Sequence, residues 1–599
     1  MFRYSFQNYE YRDALFFIFE VVNIMLNKYF FEKYSDKKII FLTKNLYRTV
    51  SGDNKIIYCL EDYVEEVCSI IEQNDISSFE ETISVLQNYV INGLIIVEMA
   101  ERTYIISPYL DSRLSWFENN KNIIFSDSSV EIAKYLNLKL SPKRLASQFI
   151  FGLPYYPFQT ISLWEELVNI KPLNYLEISE KGCLEKRVPS YEVDTNDFNK
   201  LIIKIKEEFL NSINHDLNMG NEVSSDVSGG VDSATIAFTL NKLITDFSIL
   251  HSESSTTANS DTKWATFIAK NLGRELNKFD SIEKTEKRFS VDEKYINDII
   301  PSSPLLWADS EGYLKSVIDY QKDRKHPTHF LGIGGDELFT PMPSNPWNIV
   351  RQENLGGLLY ALKYSLIMRR PFFSCLLDLI DNRGYSETVT QNLEIVFSES
   401  SEPIKRKLGW VDGLQVPDWL SEKSKQESQS FLHSLLFSNS DPIISDRTTF
   451  QMIQSLIFQK SVLRQIQLTT NSIYWATPFL HKKLVEICLQ IPAKYKVSSK
   501  LTKPILQRAL KGIVPIEVFN RGFKGDYSDA LYSGYREAVR KNFHRLEQFE
   551  LVKMGIVDVE KLKLELSLPA GNPSKIDYFE KLCSVERWIR QIKLYMKDE

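Results

Sequence analysis

The sequence is poor in the residues that build metal centres and disulfide frameworks. Its 599 residues include only six cysteines and seven histidines, with no C-x-x-C pair and no H-E-x-x-H motif. This scarcity favours buried, reduced thiols in a cytoplasmic protein over a zinc site or a disulfide-stabilised fold. The net charge of -6 lacks a basic excess, which argues against a general nucleic-acid binder.

The chain also lacks a long uninterrupted apolar segment. The nearest candidate is Ala14 to Phe31, but Glu20, Asn23, Asn27 and Lys28 interrupt it, and no small-residue cleavage site follows. A membrane span or a signal peptide would need a more continuous apolar run. We therefore predict a buried helix here, and a cytoplasmic protein that does not associate with a membrane.

Length and composition predict a soluble protein of at least two domains. A chain of 599 residues is too long for one core, and 43% hydrophobic with 25% charged residues is typical of globular proteins. The polar segment Pro189 to Asp197 is predicted to be the linker. The expected domains are residues 1–195 and residues 196–599.

The first domain shows mixed α and β patterns. Lys38 to Leu42 and Leu94 to Met99 resemble strands, whereas Leu60 to Gln73 and Ser78 to Tyr89 have helical periodicity. Tyr175 to Val188 is typical of two short strands joined by a turn at Lys181-Gly182. This mixture predicts an α+β domain.

The second domain alternates strands and helices before it becomes mainly helical. The alternation predicts a doubly wound parallel sheet. Residues from about Leu355 onward are expected to be helical, with loops at Ser398 to Glu402 and Ser421 to Ser430. The predicted elements before that point are a helix over Phe198 to Leu217, strands over Glu222 to Val227, Phe247 to His251 and Thr328 to Gly332, and helices after Ser233 and over Thr262 to Leu272.

The hexapeptide Ser228 to Ser233, S-G-G-V-D-S, is the strongest motif. It connects a predicted strand to a predicted helix, where backbone N–H groups and the helix dipole attract phosphate. Asp232 adds a carboxylate where a phosphate-bound Mg²⁺ would lie. The alternative is an ordinary glycine turn with a Ser or Asp helix cap.

A second glycine turn, Gly332 to Phe339 (G-I-G-G-D-E-L-F), follows another predicted strand. Ligands of open α/β sheets bind at the carboxyl ends of the strands, so both turns are expected at one edge. Asp336 and Asp232 would then hold Mg²⁺ together. The alternative for Asp336 is a helix N-cap.

A third segment, Arg521 to Ser528 (R-G-F-K-G-D-Y-S), supplies cations. Lys524 and Arg521 are candidates for stabilising the negative charge that develops on phosphorus or on departing pyrophosphate. The alternative is a solvated surface loop. Lys503 is a further candidate, which could instead cap a helix.

S-G-G-x-D-S resembles the pyrophosphate loop of the ATP-pyrophosphatases, and the three segments in this order resemble the synthetase domain of the asparagine synthetase superfamily. Thr477 to Leu480 and Phe151 to Pro154 are similar to further segments of that superfamily. The resemblance implies an α/β fold: a degenerate N-terminal-nucleophile (glutaminase-like) α+β domain, then a doubly wound parallel-sheet ATP-pyrophosphatase synthetase domain with a helical C-terminal part.

Three positions depart from the pattern of asparagine synthetases. Phe2 stands where glutamine-dependent members have the nucleophilic cysteine, Ile333 where Glu is usual, and His481 where Asp is usual. These departures point to an amine nucleophile other than ammonia. Lys503 to Gly512, Lys524 to Tyr527 and Pro417 to Leu420 resemble the lasso peptide macrolactam synthetases, or lasso cyclases.

This resemblance implies that Mg-ATP adenylates an Asp or Glu side chain of a precursor peptide, and that the peptide's N-terminal amine then closes an isopeptide ring. The implied partners are the core peptide, a leader-peptide-binding protein and a leader protease. The expected nucleotide contacts are with the backbone: Ser228, Gly229, Gly230, Val231, Asp232 and Ser233 for pyrophosphate, and the backbone near Asp226, Val227, Ile249, Leu331 and Gly332 for adenine.

Two other functions stay open at this stage. One is an ammonia-dependent asparagine synthetase or a β-lactam-type synthetase, and the other is a non-catalytic scaffold for peptide processing. If the protein is a lasso cyclase, we expect a large pocket for the peptide, with walls that include Trp307, Trp347, Trp410 and Trp419. Each of these tryptophans could equally belong to the hydrophobic core.

Overall fold

The structure of the protein is a computed structural model. It describes residues 28–34, 37–43, 47–52, 55–73, 79–89, 93–99, 101–111, 114–150, 152, 156–188, 197–254, 259–279, 288–351, 358–359, 372–397, 409–411, 414–439, 446–470, 472–498, 501–521, 525, 528–569 and 573–597.

The N-terminal part contains two sheets, ordered β1-β2-β8-β7-β9 and β11-β10-β6-β5-β4-β3 within the described residues. Most neighbouring strands are antiparallel, and β2 with β8 is parallel. The elements are β1 (Lys28–Tyr34), β2 (Lys37–Leu42), β3 (Tyr47–Gly52), β4 (Lys55–Leu60), α1 (Val64–Gln73), α2 (Phe79–Tyr89), β5 (Ile95–Glu98), β6 (Thr103–Ile106), β7 (Ser115–Glu118), β8 (Asn122–Ser126), α3 (Ser129–Leu136), α4 (Pro142–Ser147), β9 (Val168–Asn169), β10 (Asn174–Ser179) and β11 (Gly182–Arg187).

Alternating apolar side chains hold the two sheets face to face. Phe41 and Phe125 of the first sheet stack with ring centroids 4.9 Å apart and pack in one cluster with Ile96 and Ile105 of the second. Val97, which follows Ile96 in β5, points to the opposite face of the second sheet, and α1 and α2 cover that face. The predictions of β2, β5, α1, α2 and the β10–β11 hairpin are confirmed.

The predicted helix over Ala14 to Phe31 is wrong at its end. Residues 28–31 belong to β1, which pairs with β2 from Lys28 opposite Leu42, and cross-strand hydrogen bonding prevails there over the apolar pattern. Residues 1–27 lie outside the described residues. The same holds for residues 189–196, which contain the predicted domain boundary.

A parallel sheet ordered β14-β13-β12-β15-β16 organises the second part, as far as the described residues show. β12 lies between β13 and β15, so the strand order reverses at β12 and leaves a crevice there. The elements are α5 (Phe198–Asn218), β12 (Glu222–Asp226), α6 (Val231–Leu243), β13 (Ser248–Ser252), α7 (Asp261–Leu272), β14 (Leu276–Phe279), α8 (Glu311–Gln321), β15 (Pro327–Phe330), α9 (Gly335–Phe339) and β16 (Tyr474–Ala476).

Apolar residues of this sheet are buried in the core, beside buried polar residues such as Ser224 and His329. Val223, Ile249, Leu250 and Phe330 are buried in one core. The predicted α/β class with a parallel sheet is confirmed, and so are α5, β12, α6, β13, α7 and β15 to within a few residues.

Helices dominate the remainder of the described chain, as the sequence predicted. None of the described helices combines the length and apolar character that crossing a bilayer requires. The helices are α10 (Phe372–Ile380), α11 (Tyr385–Val396), α12 (Glu422–Phe437), α13 (Arg447–Thr469), α14 (Lys482–Leu489), α15 (Pro504–Ala509), α16 (Ile516–Phe519), α17 (Ser528–Asn542), α18 (Glu550–Lys553), α19 (Val559–Ser567) and α20 (Pro573–Tyr595).

The prediction of a loop at Ser421 to Ser430 is wrong, because α12 begins there. The Ser421 side chain caps the helix by accepting a hydrogen bond from the Ser424 backbone N–H at 3.3 Å. Ser424, Ser428 and Leu432 then form one buried stripe at a spacing of four residues. The polarity of the segment is therefore that of a helix with small serines on its buried face. The predicted loop at residues 398–402 lies outside the described residues.

Candidate active site

Ser228 to Ser233 forms the turn between β12 and α6. Gly229 has a φ of +87°, and a Cβ there would lie 2.5 Å from the Asp261 carbonyl oxygen, so the turn requires glycine. The Ser228 and Ser233 hydroxyls are 2.9 Å apart, and the Gly230 N–H donates to Ser228 Oγ at 3.2 Å. These bonds fix the turn in one conformation.

The turn leaves the beginning of α6 uncovered. Gly230 is the N-cap residue and has no side chain to accept from the first-turn N–H groups. Those groups have no acceptor within the helix either, and the helix dipole adds positive charge to them. The start of α6 is therefore suited to an anion such as pyrophosphate.

The second glycine turn lies directly against the first. Gly334 has a φ of +97°, and its Cα faces the Leu480 side chain, where a Cβ would lie 2.7 Å from Cδ2. A Cβ at Gly335 would overlap the Asp232 carboxylate. The structure thus brings together two turns that are about a hundred residues apart in the chain.

One lysine connects the two aspartates of these turns. Lys503, the residue before α15, has its Nζ 2.6 Å and 2.7 Å from the two Asp232 carboxylate oxygens. The same Nζ is 2.8 Å from Asp336 Oδ1. Lys503 is 2% exposed, whereas Asp336 is 45% exposed and faces the cleft. The two carboxylates therefore converge on one cation position at the open edge of the sheet.

The third predicted segment joins the same edge through Asp261. The Arg521 guanidinium donates to the Gly229 carbonyl and to the Asp261 carboxylate, and the Gly525 N–H donates to Asp261 Oδ1 at 2.9 Å. Arg521 is buried and lines the cleft, and its hydrogen bond to Gly229 holds the first turn in place. Lys524 lies outside the described residues.

Asp261 was missed by the sequence reasoning. A signal existed, because Ser260-Asp261 stands between a predicted strand and an apolar helix, at the same carboxyl edge as the two glycine turns. Asp261 begins α7, and its carboxylate accepts hydrogen bonds from the Arg521 guanidinium and the Gly525 N–H. It is the residue through which the third segment reaches the first.

The three segments enclose a cleft of ≈ 380 Å³. Its described lining carries five carboxylates and two cations, an excess of three formal negative charges. An anionic triphosphate would need additional cations to bind here, and paired carboxylates are ligands that Mg²⁺ prefers. The lining residues are Asp226, Ser228, Gly230, Val231, Asp232, Ser233, Asp261, Leu331, Gly332, Ile333, Gly334, Asp336, Glu337, Gln459, Thr502, Lys503 and Arg521.

The residues predicted to contact adenine divide into two groups. Asp226, Leu331 and Gly332 line the cleft, whereas Val227 and Ile249 are fully buried in the core and are absent from its described lining. The two buried side chains fill the space between sheet and helices, so at most their backbone remains for a ligand. The predicted adenine contact is with the backbone, so it stays a prediction.

Asp226 is a paired carboxylate rather than a bare wall of the cleft. Its Oδ1 atom is 2.9 Å from His329 Nε2 and also accepts a hydrogen bond from the Tyr313 hydroxyl. The Ser224 hydroxyl contacts the other ring nitrogen of His329 at 2.8 Å. No sequence motif pointed to Tyr313, which reaches this edge from α8.

Glu337 and Gln459 also reach the cleft. Burial raises the pKa of the Glu337 carboxyl above its ordinary value, although Gln459 donates to it at 2.8 Å. The four tryptophans proposed as pocket walls are absent from the described lining of this cleft. Trp307, Trp410 and Trp419 are buried in hydrophobic clusters instead.

Comparison with known proteins assigns the family. Residues 204–596 match the asparagine synthase family, and the chain belongs to it. The general chemistry of this family is ATP-dependent amide bond formation.

Solved structures that match the chain include one ammonia-using synthetase. An NH3-dependent NAD synthetase from Campylobacter jejuni subsp. jejuni, in complex with the nitrate ion, is 17% identical, with a TM-score of 0.18. The match covers 24% of this chain and 59% of that one, so the chain spans less than two thirds of the matched structure. No curated protein matches the chain.

Proposed function

We propose that this protein is an ATP-dependent macrolactam synthetase that closes an isopeptide ring in a ribosomally made lasso peptide precursor. The observation that carries the proposal is the shared cation position of Asp232 and Asp336, bridged by Lys503 beside an uncapped helix start. This arrangement is suited to binding a nucleoside triphosphate. The asparagine synthase family uses ATP to form amide bonds, which supports the same chemistry here.

In the proposed complex, the backbone of Ser228 to Ser233 holds the pyrophosphate part of ATP, and adenine lies against the backbone near Leu331-Gly332. Asp232 and Asp336 would hold Mg²⁺, whose chemistry there is to neutralise charge on the phosphates. The excess of negative charge in the cleft supports this role, because it disfavours a nucleotide that arrives without a metal.

The proposed reaction has two steps. A side-chain carboxylate of the precursor attacks the α-phosphorus of ATP, and the bond to the pyrophosphate oxygen breaks. The N-terminal amine of the peptide then attacks the activated carbonyl carbon, loses a proton, and releases AMP. Lys503 and Lys524 would stabilise the developing negative charge, while Arg521 positions the first turn through Gly229.

Ile333 supports a peptide amine as the nucleophile. It lines the cleft between the two glycine turns, at the position where asparagine synthetases usually have a glutamate. An apolar side chain cannot take a proton from ammonia, and it offers a surface to a peptide instead. The similarity of residues 503–512 and 417–420 to lasso cyclases supports the same substrate class.

The proposed division of labour gives the synthetase chemistry to residues 196–599. Residues 1–195 would form a degenerate glutaminase-like domain that docks the leader-peptide-binding protein and the leader protease. Both the boundary and these partners belong to the proposal.

The test compares substrates with one preparation of the full chain. Purified protein with Mg-ATP should release pyrophosphate when a candidate core peptide is added, and mass spectrometry should show the peptide losing one water. Asp232→Asn should abolish both signals, while Asp319→Asn, which changes an exposed carboxylate on α8, should keep both. Pyrophosphate release with free aspartate and ammonia, without any change in peptide mass, would instead identify an asparagine synthetase.

A further inference from the structure

A second polar cluster lies outside the described lining of the cleft. His215 and Asp216 end α5, and His481 precedes α14. His481 Nε2 is 2.9 Å from Asp216 Oδ1, and one possible ligand atom from each of the three residues lies within 4.8 Å of the others. The sequence analysis noted His481 only as a departure from a family pattern.

Two further groups surround these three residues. Glu66 on α1 places Oε1 3.2 Å from His215 Nδ1, and the Tyr474 hydroxyl donates to Asp216 Oδ1 at 3.1 Å. The His215 and His481 rings meet edge to face, with centroids 5.1 Å apart. The cluster therefore joins a helix of the N-terminal part to the helices beneath the parallel sheet.

One oxygen of Asp216 is left over in this arrangement. The Asp216 side chain is 0% exposed, and its Oδ2 atom has no hydrogen-bond partner among the described residues. A buried carboxylate oxygen without a partner is costly, because it has lost its water without replacement. An unpaired carboxylate oxygen beside two imidazoles is a set of groups that can bind a metal ion.

We propose that His215, Asp216 and His481 bind a zinc-class divalent transition-metal ion, with Glu66 as a fourth ligand. Two imidazoles and two carboxylates are a suitable tetrahedral set for zinc, whereas Mg²⁺ and Ca²⁺ prefer oxygen ligands throughout. Neighbouring ligand atoms of such a site are about 3.3 Å apart. The present contacts of 2.9 Å and 3.2 Å need little rearrangement to reach it.

The ion would have a structural role. It would cross-link α1 to α5 and to the segment before α14, and Leu480 in that segment packs against Gly334 of the second glycine turn. Bound metal would therefore stabilise the contact between the N-terminal part and the synthetase part. The proposal does not depend on the peptide substrate, because its test measures metal and stability only.

The first experiment measures metal content. Untagged full-length protein is equilibrated with Zn²⁺, dialysed, and analysed by inductively coupled plasma mass spectrometry. One zinc per chain is expected, with loss of that zinc in His215→Asn and in His481→Asn. His433→Asn, a change on α12 outside the cluster, should retain it. Equal zinc content in all four proteins would overturn the proposal.

The second experiment uses the unaltered chain, so a variant that fails to fold cannot obscure the result. Co²⁺ is added as a probe, and visible absorption reports its coordination. Intense bands of tetrahedral Co²⁺ that reach a plateau at one equivalent, and a thermal unfolding midpoint several degrees lower after chelation, are expected. Weak octahedral bands together with an unchanged midpoint would overturn the proposal.

Discussion

Two of the clusters in the described part of the chain join a buried cation to carboxylates, and they differ in how far the carboxylates are exposed. In one, the Arg587 guanidinium forms two bonds with Glu311, at 2.6 Å and 2.9 Å, and both side chains are at most 3% exposed. In the other, Lys503 bridges Asp232 and Asp336, and Asp336 remains half-exposed. The chemical groups are alike, but only the second cluster reaches solvent.

The remaining donors of each cation explain the difference. Arg587 also donates to the carbonyls of Glu293 at 2.8 Å and Lys294 at 2.7 Å, so it makes four hydrogen bonds to its described neighbours. The Lys503 cluster has one ammonium for two carboxylates, which leaves one formal negative charge beside the cleft. A closed ion pair therefore specifies the fold, whereas an open and unbalanced one can bind a substrate complex.

The largest predicted effect concerns the closed cluster. Arg587→Met should lower the free energy of unfolding by about 3–5 kcal/mol, because Glu311 would keep a buried charge without a partner. Chemical denaturation monitored by circular dichroism measures this. The double change Arg587→Met with Glu311→Leu should recover most of the loss; a double variant as unstable as the single one would contradict the comparison.

The open cluster should respond in activity rather than stability. Asp336→Asn is expected to lower kcat for pyrophosphate release about 10²–10³-fold, because one of the two carboxylates of the cation position is lost. Its unfolding free energy should change by less than about 1 kcal/mol, since the side chain is half-exposed. Asp319→Asn is the matched control. Full activity of Asp336→Asn would show that the two clusters are both structural.

A third buried cation sharpens the comparison because its closest partner is not a carboxylate. Lys496 Nζ lies 2.8 Å from the Met452 sulfur, and burial lowers the pKa of Lys496 from 10.5 to about 8. Between these two values the unfolded chain binds more protons than the folded one, so the free energy of unfolding should rise with pH in that window.

Lys496→Met should remove that rise and stabilise the protein at pH 7, by up to about 3 kcal/mol. Denaturant titrations at pH 7 and near pH 10 test this by comparing the slope of stability against pH in the two proteins. An unchanged slope would mean that Lys496 keeps its proton in the fold.

The smallest predicted effect is the loss of one helix cap. Ser421→Ala removes the cap of α12 and should cost about 1 kcal/mol of stability. Ser434→Ala, within the same helix and exposed, is the control with a smaller expected change. If both substitutions cost the same, the capping bond of Ser421 has no special role.

The sequence predicted the shared edge of the site because it follows from topology. Parallel strands end on the same side of a sheet, so the turns after β12 and β15 had to meet once both strands were recognised. The contact between Lys503 and Asp232 could not be predicted in this way, because the two residues are 271 positions apart and isolated lysines are common on surfaces.

The missed strands have a different cause. β14 and β16 are only four and three residues long, and Asn277 and Lys278 make β14 look polar. Short edge strands owe their existence to neighbours in the sheet, which a local pattern does not contain.

The contact between the two glycine turns limits how the substrate range of the protein can be changed. Gly332 and Gly335 have no room for a side chain beside Asp232, and Gly334 needs a backbone conformation that other residues rarely adopt. Ile333 is the one position of these four that can carry variation while the turn survives. Engineering aimed at new substrates should therefore begin with a library at residue 333.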